Sequence, residues 1–420
     1  VRVVLATDSF PPNCGGSGWS TWELARGLRT RGHHVVVVQP RPGQAADGVR
    51  EHDGFRVEEF AITAPAIPFV RNYVKNERLY PRLGARIAAI AARERADLIH
   101  GQHSLTVPAA VVAGRVTGTP VVATVRDYWP VCYWATLIRH DADVELCPAC
   151  TTANMRRCLA PRTGVAWPIA LAAIPYMRAN LAGKRAALAG ADAIVAVSRQ
   201  IAADLRARAP EIASTRLEQI PNPFDVASLR ATADSAPRTA GASYAVAVGK
   251  LEANKGADLL PAMAAGARLD MPLVVVGDGS LRASIEADAS RLGVDLRVTG
   301  WLPRHETLGW MAGATLLAFP SRGPESLSRV LIESAALGVP IAAMHTGGTA
   351  DIVEHEVTGL LSRDAGGLAR DVARLAGNPA LAAALAGAAR AHAEREFDAP
   401  RVIARIEALY EDVVARRGRG

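Results

Sequence analysis

Residues 314–361, ATLLAFPSRGPESLSRVLIESAALGVPIAAMHTGGTADIVEHEVTGLL, constrain the fold more than any other stretch. Residues 314–321 form a short apolar run of the kind buried in a sheet, 322–325 a Gly/Pro break, and 328–337 carry apolar residues at helical spacing. A buried strand that passes through a polar loop into a helix is the repeating unit of a parallel α/β sheet. The same order occurs at 1–7, where an apolar run meets Cys14-Gly15-Gly16-Ser17-Gly18, then a helical pattern over 19–31 stopping at Gly32, then a strand at 35–39. It occurs again at 244–248, followed by Gly249-Lys250-Leu251-Glu252-Ala253-Asn254-Lys255-Gly256 and a further helix. A chain of 420 residues has room for two such domains, and a composition half hydrophobic with only 5% aromatics suits repeated α/β layers.

The loops after these strands hold the chemistry. At a strand-to-helix junction the first helical amides lack intrahelical partners and the helix dipole is positive, so Ser326, Leu327, Ser328 and Arg329 form an anion site. Glu325 lies in the loop and Glu333 eight positions later on the helix. A carboxylate beside an anion site needs hydroxyl or cationic partners, and sugar hydroxyls supply them, so the arrangement suits a nucleotide sugar. The plainer reading makes Glu325 a helix cap and Glu333 a solvated face residue. Lys250 and Lys255, five residues apart in a glycine loop, can neutralise both phosphates of a diphosphate. The loop at Gly15 and Gly16 is not Gly-x-Gly-x-x-Gly, and Gln39-Pro40-Arg41 stands where an acidic ribose partner is expected, which disfavours a dinucleotide dehydrogenase.

Taken together, these stretches resemble family 4 retaining glycosyltransferases of the GT-B fold. The resemblance rests on Pro320-Ser321 followed by Glu325 and Glu333, on Gly249-Lys250-Leu251 with Lys255-Gly256, on Gly15-Gly16, and on Asp97-Leu98-Ile99-His100. The family usually has Glu-Gly-Phe-Gly where this chain has Glu325-Ser326-Leu327-Ser328, and Arg where it has Lys250. The resemblance implies an α/β chain of two facing Rossmann-like domains: 1–225 for the acceptor, 226–399 for the nucleotide sugar, and a helix over 400–420 crossing back to the first. It implies transfer of a sugar from a nucleoside-diphosphate sugar to an acceptor hydroxyl with retention of configuration and no cofactor needed for catalysis. Glu325 would hold donor-sugar hydroxyls and Glu333 the ribose. Gly16, Lys250, Lys255, Ser326, Leu327, Ser328, Gly347 and Gly348 would complete the donor site. His103, with Glu325 a catalytic candidate, is the better of two histidines for contact with the donor sugar or the acceptor, with His100 structural. Gly15, Arg126 and Asp127 would border the acceptor, although Arg126 pairing with Asp127 is an equal alternative. A UDP-sugar is the first expectation for the donor and a GDP-sugar the second; the acceptor is a carbohydrate, a lipid-linked sugar or a small molecule. Two other functions stay open, a nucleotide-sugar epimerase of the same architecture and a non-catalytic binding protein with a metal site.

That metal site would be built from Cys132, Cys147, Cys150 and Cys158, which fall close together around a Cys-x-x-Cys and could hold structural zinc. Free or redox-labile thiols are the alternative. The formal charge of +7 admits nucleic acid, anionic membrane or phosphorylated ligands, but no Lys/Arg run interleaved with aromatics occurs, so nucleic acid is not expected. Residues 163–181 are apolar, broken by proline and followed by cations. A core helix is the first reading and peripheral membrane contact the second. The immediate apolar strand at Val1 leads to the expectation of a cytoplasmic protein, with the inner face of the membrane as an alternative. Residues 44–77 are read as irregular acceptor-facing loops and 227–241 as the linker into the second domain.

Overall fold

The computed structural model describes all residues except 68, 140–143, 145, 237–242 and 419–420. The chain divides into two units, Val1–Asp141 with Cys147–Pro223 and Ala399–Gly420, and Phe224–Asp398 with Ala142–Leu146.

The first unit is built on an eight-stranded sheet. In chain order its strands are β1 (Arg2–Ala6), β2 (His34–Pro42), β3 (Gly48–His52), β4 (Phe55–Ile62), β5 (Leu98–Gly101), β6 (Val121–Val125), β7 (Ala193–Ala196) and β8 (Leu217–Gln219). Their spatial order is β3-β4-β2-β1-β5-β6-β7-β8, parallel except for the β3/β4 hairpin. Runs such as Val3-Val4-Leu5-Ala6 and Val35-Val36-Val37-Val38 are buried on both faces, as parallel strands covered by helices must be. The helix Gly16–Thr30 covers one face, and the C-terminal helix Ala399–Arg417 packs Ile403 onto it at Gly27, where a Cβ would lie 2.5 Å from the Ile403 side chain.

The second unit carries a six-stranded parallel sheet: β9 (Ala245–Val248), β10 (Leu273–Val276), β11 (Leu296–Gly300), β12 (Leu316–Phe319), β13 (Ile341–Met344) and β14 (Leu360–Ser362). Its spatial order is β11-β10-β9-β12-β13-β14. The strand order reverses between β1 and β5 in the first sheet, beside the further reversal at the β3/β4 hairpin, and between β9 and β12 in the second. Loops leaving two strands in opposite directions at that point open a crevice at the carboxyl edge, which is where open α/β sheets bind ligands.

Three segments depart from the sequence reading. Residues 44–77 are not irregular: β3 and β4 form a hairpin turned by Asp53-Gly54, both at positive φ (51° and 70°), with a helix at Val70–Lys75 behind it. The scattered charge that hid the strand is a set of ion pairs between buried carboxylates and partly exposed arginines, Glu58 with Arg56, Arg86 and Arg93, and Glu59 with Arg41 and Arg50. The expected linker begins as a helix, Val226–Ser235, that buries Val226, Leu229 and Ala233, while 237–242 lie outside the described residues. Finally, 163–181 is not one core helix. Ile174 and Met177 pack inward on the helix Ile174–Ala189, but Val165, Trp167 and Ile169 on the preceding turns are exposed.

Gly256 sets the approach of the two loops at the β9/β12 crevice. Its φ is +69°, and a Cβ there would lie 1.9 Å from the Pro320 carbonyl oxygen. At Gly15, by contrast, φ is −82° and a Cβ would meet nothing within 4 Å. Gly256→Ala is therefore expected to destabilise the second unit by ~1–3 kcal/mol, whereas Gly15→Ala leaves stability nearly unchanged; thermal unfolding of the two variants checks this.

Candidate active site

In the second unit, three loops are stitched together at the carboxyl edge of the sheet. The carbonyl of Asn254, in the loop after β9, accepts from the amides of Arg322 (3.1 Å) and Gly323 (2.7 Å) in the loop after β12. Thr346, after β13, donates its hydroxyl to the Gly323 carbonyl at 2.9 Å. The Gly348 amide donates to the Glu325 carbonyl at 2.6 Å, and a Cβ on Gly347 would lie 2.1 Å from that same oxygen. Backbone geometry thus fixes Glu325 before any ligand arrives.

Its side chain is equally defined. Glu325 Oε1 accepts from Lys255 Nζ at 2.7 Å and from Ser321 Oγ at 2.6 Å. An ammonium has three donors, so Lys255 retains capacity for an anion while bound to Glu325. Lys250 is exposed and makes no ion pair among the described residues. Ser328 caps the helix Arg329–Leu337, Leu327 is buried, and Ser326 is half-buried beside them. Glu333, on that helix, is buried and pairs with Arg304 at 2.7 Å and Arg329 at 3.4 Å. It is thus neither the solvated face residue of the plainer reading nor an isolated carboxylate, and the two guanidiniums were not recognised from sequence. One expectation needs correction. The Gly348 amide is not available to a donor phosphate or sugar, because the Glu325 carbonyl takes it, and Gly347 serves the close approach of that carbonyl.

In the first unit, the β1/β5 crevice gathers a second set of polar groups. Gly15 caps the helix Gly16–Thr30 without a side-chain bond, so both glycines lie exposed at its amino end. His103 follows β5; its Nδ1 is 3.4 Å from Thr7 Oγ1, and its Nε2 is buried with no partner among the described residues. Gln102 is fully buried with neither amide atom partnered, and Asp8 Oδ1 is likewise unpartnered. Burial, reinforced by the Arg126 charge, holds His103 well below the usual imidazole value, so the ring is neutral at pH 7. His100 is also neutral, but its nitrogens meet the Tyr410 hydroxyl (2.5 Å) and Thr124 Oγ1 (2.7 Å), a satisfied core residue as expected. Arg126 is buried and donates to Asn222 Oδ1 (2.8 Å) and Thr21 Oγ1 (3.0 Å), while Asp127 Oδ1 accepts from the Trp129 amide at 2.8 Å. Burial pushes Asp8 up to about 7 and Asp127 up to about 6, and pushes the nearby Lys184 ammonium down against the pull of Glu77 and Asp127. Asp8 and Lys184 were missed from sequence; the place of Asp8, directly behind the first strand, was the available signal.

The cysteines do not form the expected zinc site. Among the described residues no group of three or more His, Cys, Asp or Glu side chains is placed to hold a metal ion. Cys132 and Cys150 act on each other, which lowers the Cys132 thiol below its ordinary value and raises that of Cys150. Cys147 donates to the Ala149 carbonyl at 3.2 Å, and Cys158 sits beside the Arg162 guanidinium, whose charge opposes a cation there.

The family model of Glycosyltransferase Family 4 matches residues 14–228, just over half of the chain, and that of Glycosyl transferases group 1 matches 242–378. The chain belongs to Glycosyltransferase Family 4. Among curated relatives, a D-inositol 3-phosphate glycosyltransferase of Thermobispora bispora is 35% identical over 145 residues, 33% of each chain. A 2-deoxystreptamine glucosyltransferase of Streptomyces kanamyceticus is 33% identical over 156 residues, 36% of this chain and 40% of that one. These matches span well under half the length of the relatives. Two solved structures superpose over nearly all of both chains. Anabaena HepE in complex with UDP is 18% identical, covering 98% of this chain and 100% of that one, with a TM-score of 0.65. Sucrose-phosphate synthase of Thermosynechococcus elongatus is 22% identical, covering 99% of each, with a TM-score of 0.69. At these identities the likeness shows the fold, the two Rossmann-like units of the GT-B class.

The raised carboxyls of the family 4 chain have a pH consequence. A carboxyl with a higher value in the folded than in the unfolded state contributes stability that is complete below about pH 4 and lost as pH rises through the folded value. The Asp8 contribution is therefore lost between about pH 4 and about 7. Asp8→Asn is expected to reduce the fall in Tm between pH 5 and pH 8 relative to the parent chain, measured by calorimetry at each pH.

Proposed function

We propose that the chain transfers a sugar from a nucleoside-diphosphate sugar, a UDP-sugar first and a GDP-sugar second, to an acceptor hydroxyl with retention of configuration. The observation that carries this reading is the stitching of three loops around Glu325, Lys255 and Ser321 at the β9/β12 crevice. It presents a cation and a carboxylate side by side, the pair that a sugar joined to a diphosphate requires. Lys255 and Lys250 stabilise the diphosphate charge that grows as the bond to the anomeric carbon breaks. Glu325 holds donor-sugar hydroxyls, and Glu333, positioned by Arg304 and Arg329, faces the ribose. The leaving phosphate takes the acceptor proton on the same face as the new bond forms.

The acceptor belongs at the β1/β5 crevice of the first unit. There Asp8, Gln102 and His103 hold unpartnered buried polar atoms, and hydroxyls of a carbohydrate or cyclitol would satisfy them. The acceptors that the relatives are named for, inositol phosphate and 2-deoxystreptamine, are polyhydroxylated rings of this kind. The UDP complex of the HepE neighbour supports uridine as the base to try first. Cations in the donor loops supply the charge that a divalent ion otherwise brings to a diphosphate, so catalysis proceeds without one. The Asp-x-Asp triplet at 141–143 lies outside the described residues.

Thermal unfolding with UDP, GDP, ADP and TDP, each with and without EDTA, tests the donor site. A nucleotide at a hundred times its Kd adds ~2.7 kcal/mol to stability, a shift of several degrees. UDP is expected to give the largest shift, unchanged by EDTA. Glu325→Ala is expected to lower transfer roughly a hundredfold or more with the fold intact. Turnover equal to the parent would remove the assignment, and conversion of a nucleotide sugar without any acceptor would point to an epimerase.

A further inference from the structure

We propose that the first unit docks on an anionic lipid bilayer through a face built from Ile67, Val70, Tyr73, Val165, Trp167 and Ile169. These are half of the large apolar side chains that stand exposed on the described chain; Val70, Tyr73 and Ile169 line one groove, and Ile67, Val165 and Trp167 lie within four residues of them in the chain. Val165 is fully exposed and Ile169 is 81% exposed, on the turns Gly164–Ala173. Between these turns and the helix Val70–Lys75 runs an open groove of about 1070 Å³, lined mainly by apolar atoms of Phe69, Tyr73, Trp134, Ile169 and Tyr176. A contiguous apolar face of this kind, exposed to water, marks an interaction surface.

The charges around the face select the partner. Residues 152–178 contain four arginines, Arg156, Arg157, Arg162 and Arg178, and no Asp or Glu. Arg71, beside the groove, and Arg156 and Arg157 are exposed and make no ion pair among the described residues. Glu77, the nearby acid, is taken by Tyr176 at 3.2 Å and Asn180 at 2.7 Å. Exposed apolar side chains with Arg71 and Arg162 at the same groove, further arginines close in the chain and a half-exposed tryptophan match the layered chemistry of a bilayer surface. The tips enter the acyl region, Trp167 sits at the boundary, and the arginines meet phosphate headgroups. A dry protein interface would instead have to bury these cations against matching acids. The proposal does not depend on sugar transfer, since it is read by vesicle binding alone.

The test is co-sedimentation of the full chain with phosphatidylcholine vesicles and with vesicles of seven parts phosphatidylcholine to three of phosphatidylglycerol. Most of the protein is expected to pellet with the anionic vesicles in about 0.1 M salt, to stay free with the neutral ones, and to be released by about 0.5 M salt. Val165→Ser/Ile169→Ser and Arg156→Ser/Arg157→Ser, all at exposed positions, are each expected to lower the bound fraction fivefold or more with unchanged Tm. Trp167→Phe is expected to remove a blue shift of tryptophan emission seen on vesicle binding. Failure of the parent chain to bind anionic vesicles overturns the proposal, as does binding unaffected by Val165→Ser/Ile169→Ser. A concentration-dependent dimer abolished by that same pair, without vesicle binding, would assign the face to a second copy instead.

Discussion

The close approach of Gly256 to the Pro320 carbonyl is the contact on which the second unit's site depends. With no Cβ in the way, the loop after β9 lies directly on the loop after β12, and the Asn254 carbonyl can collect two amides from the other side. Lys255, one residue earlier, is thereby brought within 2.7 Å of Glu325. The third loop closes on the same residue, because Gly347 lets the Glu325 carbonyl approach and Gly348 donates to it. A carboxylate and an ammonium in such a setting are oriented in advance, and preorganised charge is what stabilises a developing phosphate charge most effectively.

The first unit shows the opposite economy. Asp8, Gln102 and His103 keep buried polar atoms unpartnered, each unfavourable by roughly 1–3 kcal/mol relative to a satisfied group. Such groups persist where a ligand completes them. The surrounding sheet, with every residue of β6 buried and the C-terminal helix packed onto Gly27, supplies the rigidity that holds them in place. Glu325, Lys255 and Glu333 are thus paired within the chain, whereas Asp8, Gln102 and His103 keep polar atoms incomplete. Under the proposed function, that contrast fits a donor site preset for one diphosphate and an acceptor site shaped by its occupant.

Much of this was legible from residue order. The run into Pro320-Ser321, the Gly249–Gly256 loop and the strand at 121–125 announce parallel strands and their loops, because strands buried on both faces leave uninterrupted apolar runs. The β3/β4 hairpin was not read, although His52-Asp53-Gly54-Phe55 holds a turn signal, because Glu58 and Glu59 break the apolar pattern. Only their arginine partners, from elsewhere in the chain, make those carboxylates buriable. The cysteine spacing suggested zinc, yet a Cys-x-x-Cys says nothing of where Arg162 will stand. The turns at 164–173 look like core by hydropathy alone, since composition does not say which side of a turn faces water.

The sequence by itself determined the fold class and the residues of the strand-to-helix loops, because these follow from local periodicity and from glycines, prolines and charges at short spacing, and the motifs in those loops carried the resemblance to the family. Tertiary structure alone decided which of them meet. It gave Glu325 to Lys255 and Ser321, Glu333 to Arg304 and Arg329, and the Gly348 amide to a carbonyl rather than a ligand. It also left Asp8, Gln102 and His103 incomplete together and turned Trp167 outward. The physical reason is that hydrogen bonds and ion pairs between loops are set by how strands stack side by side, an order that residues tens of positions apart share only once the sheet has formed.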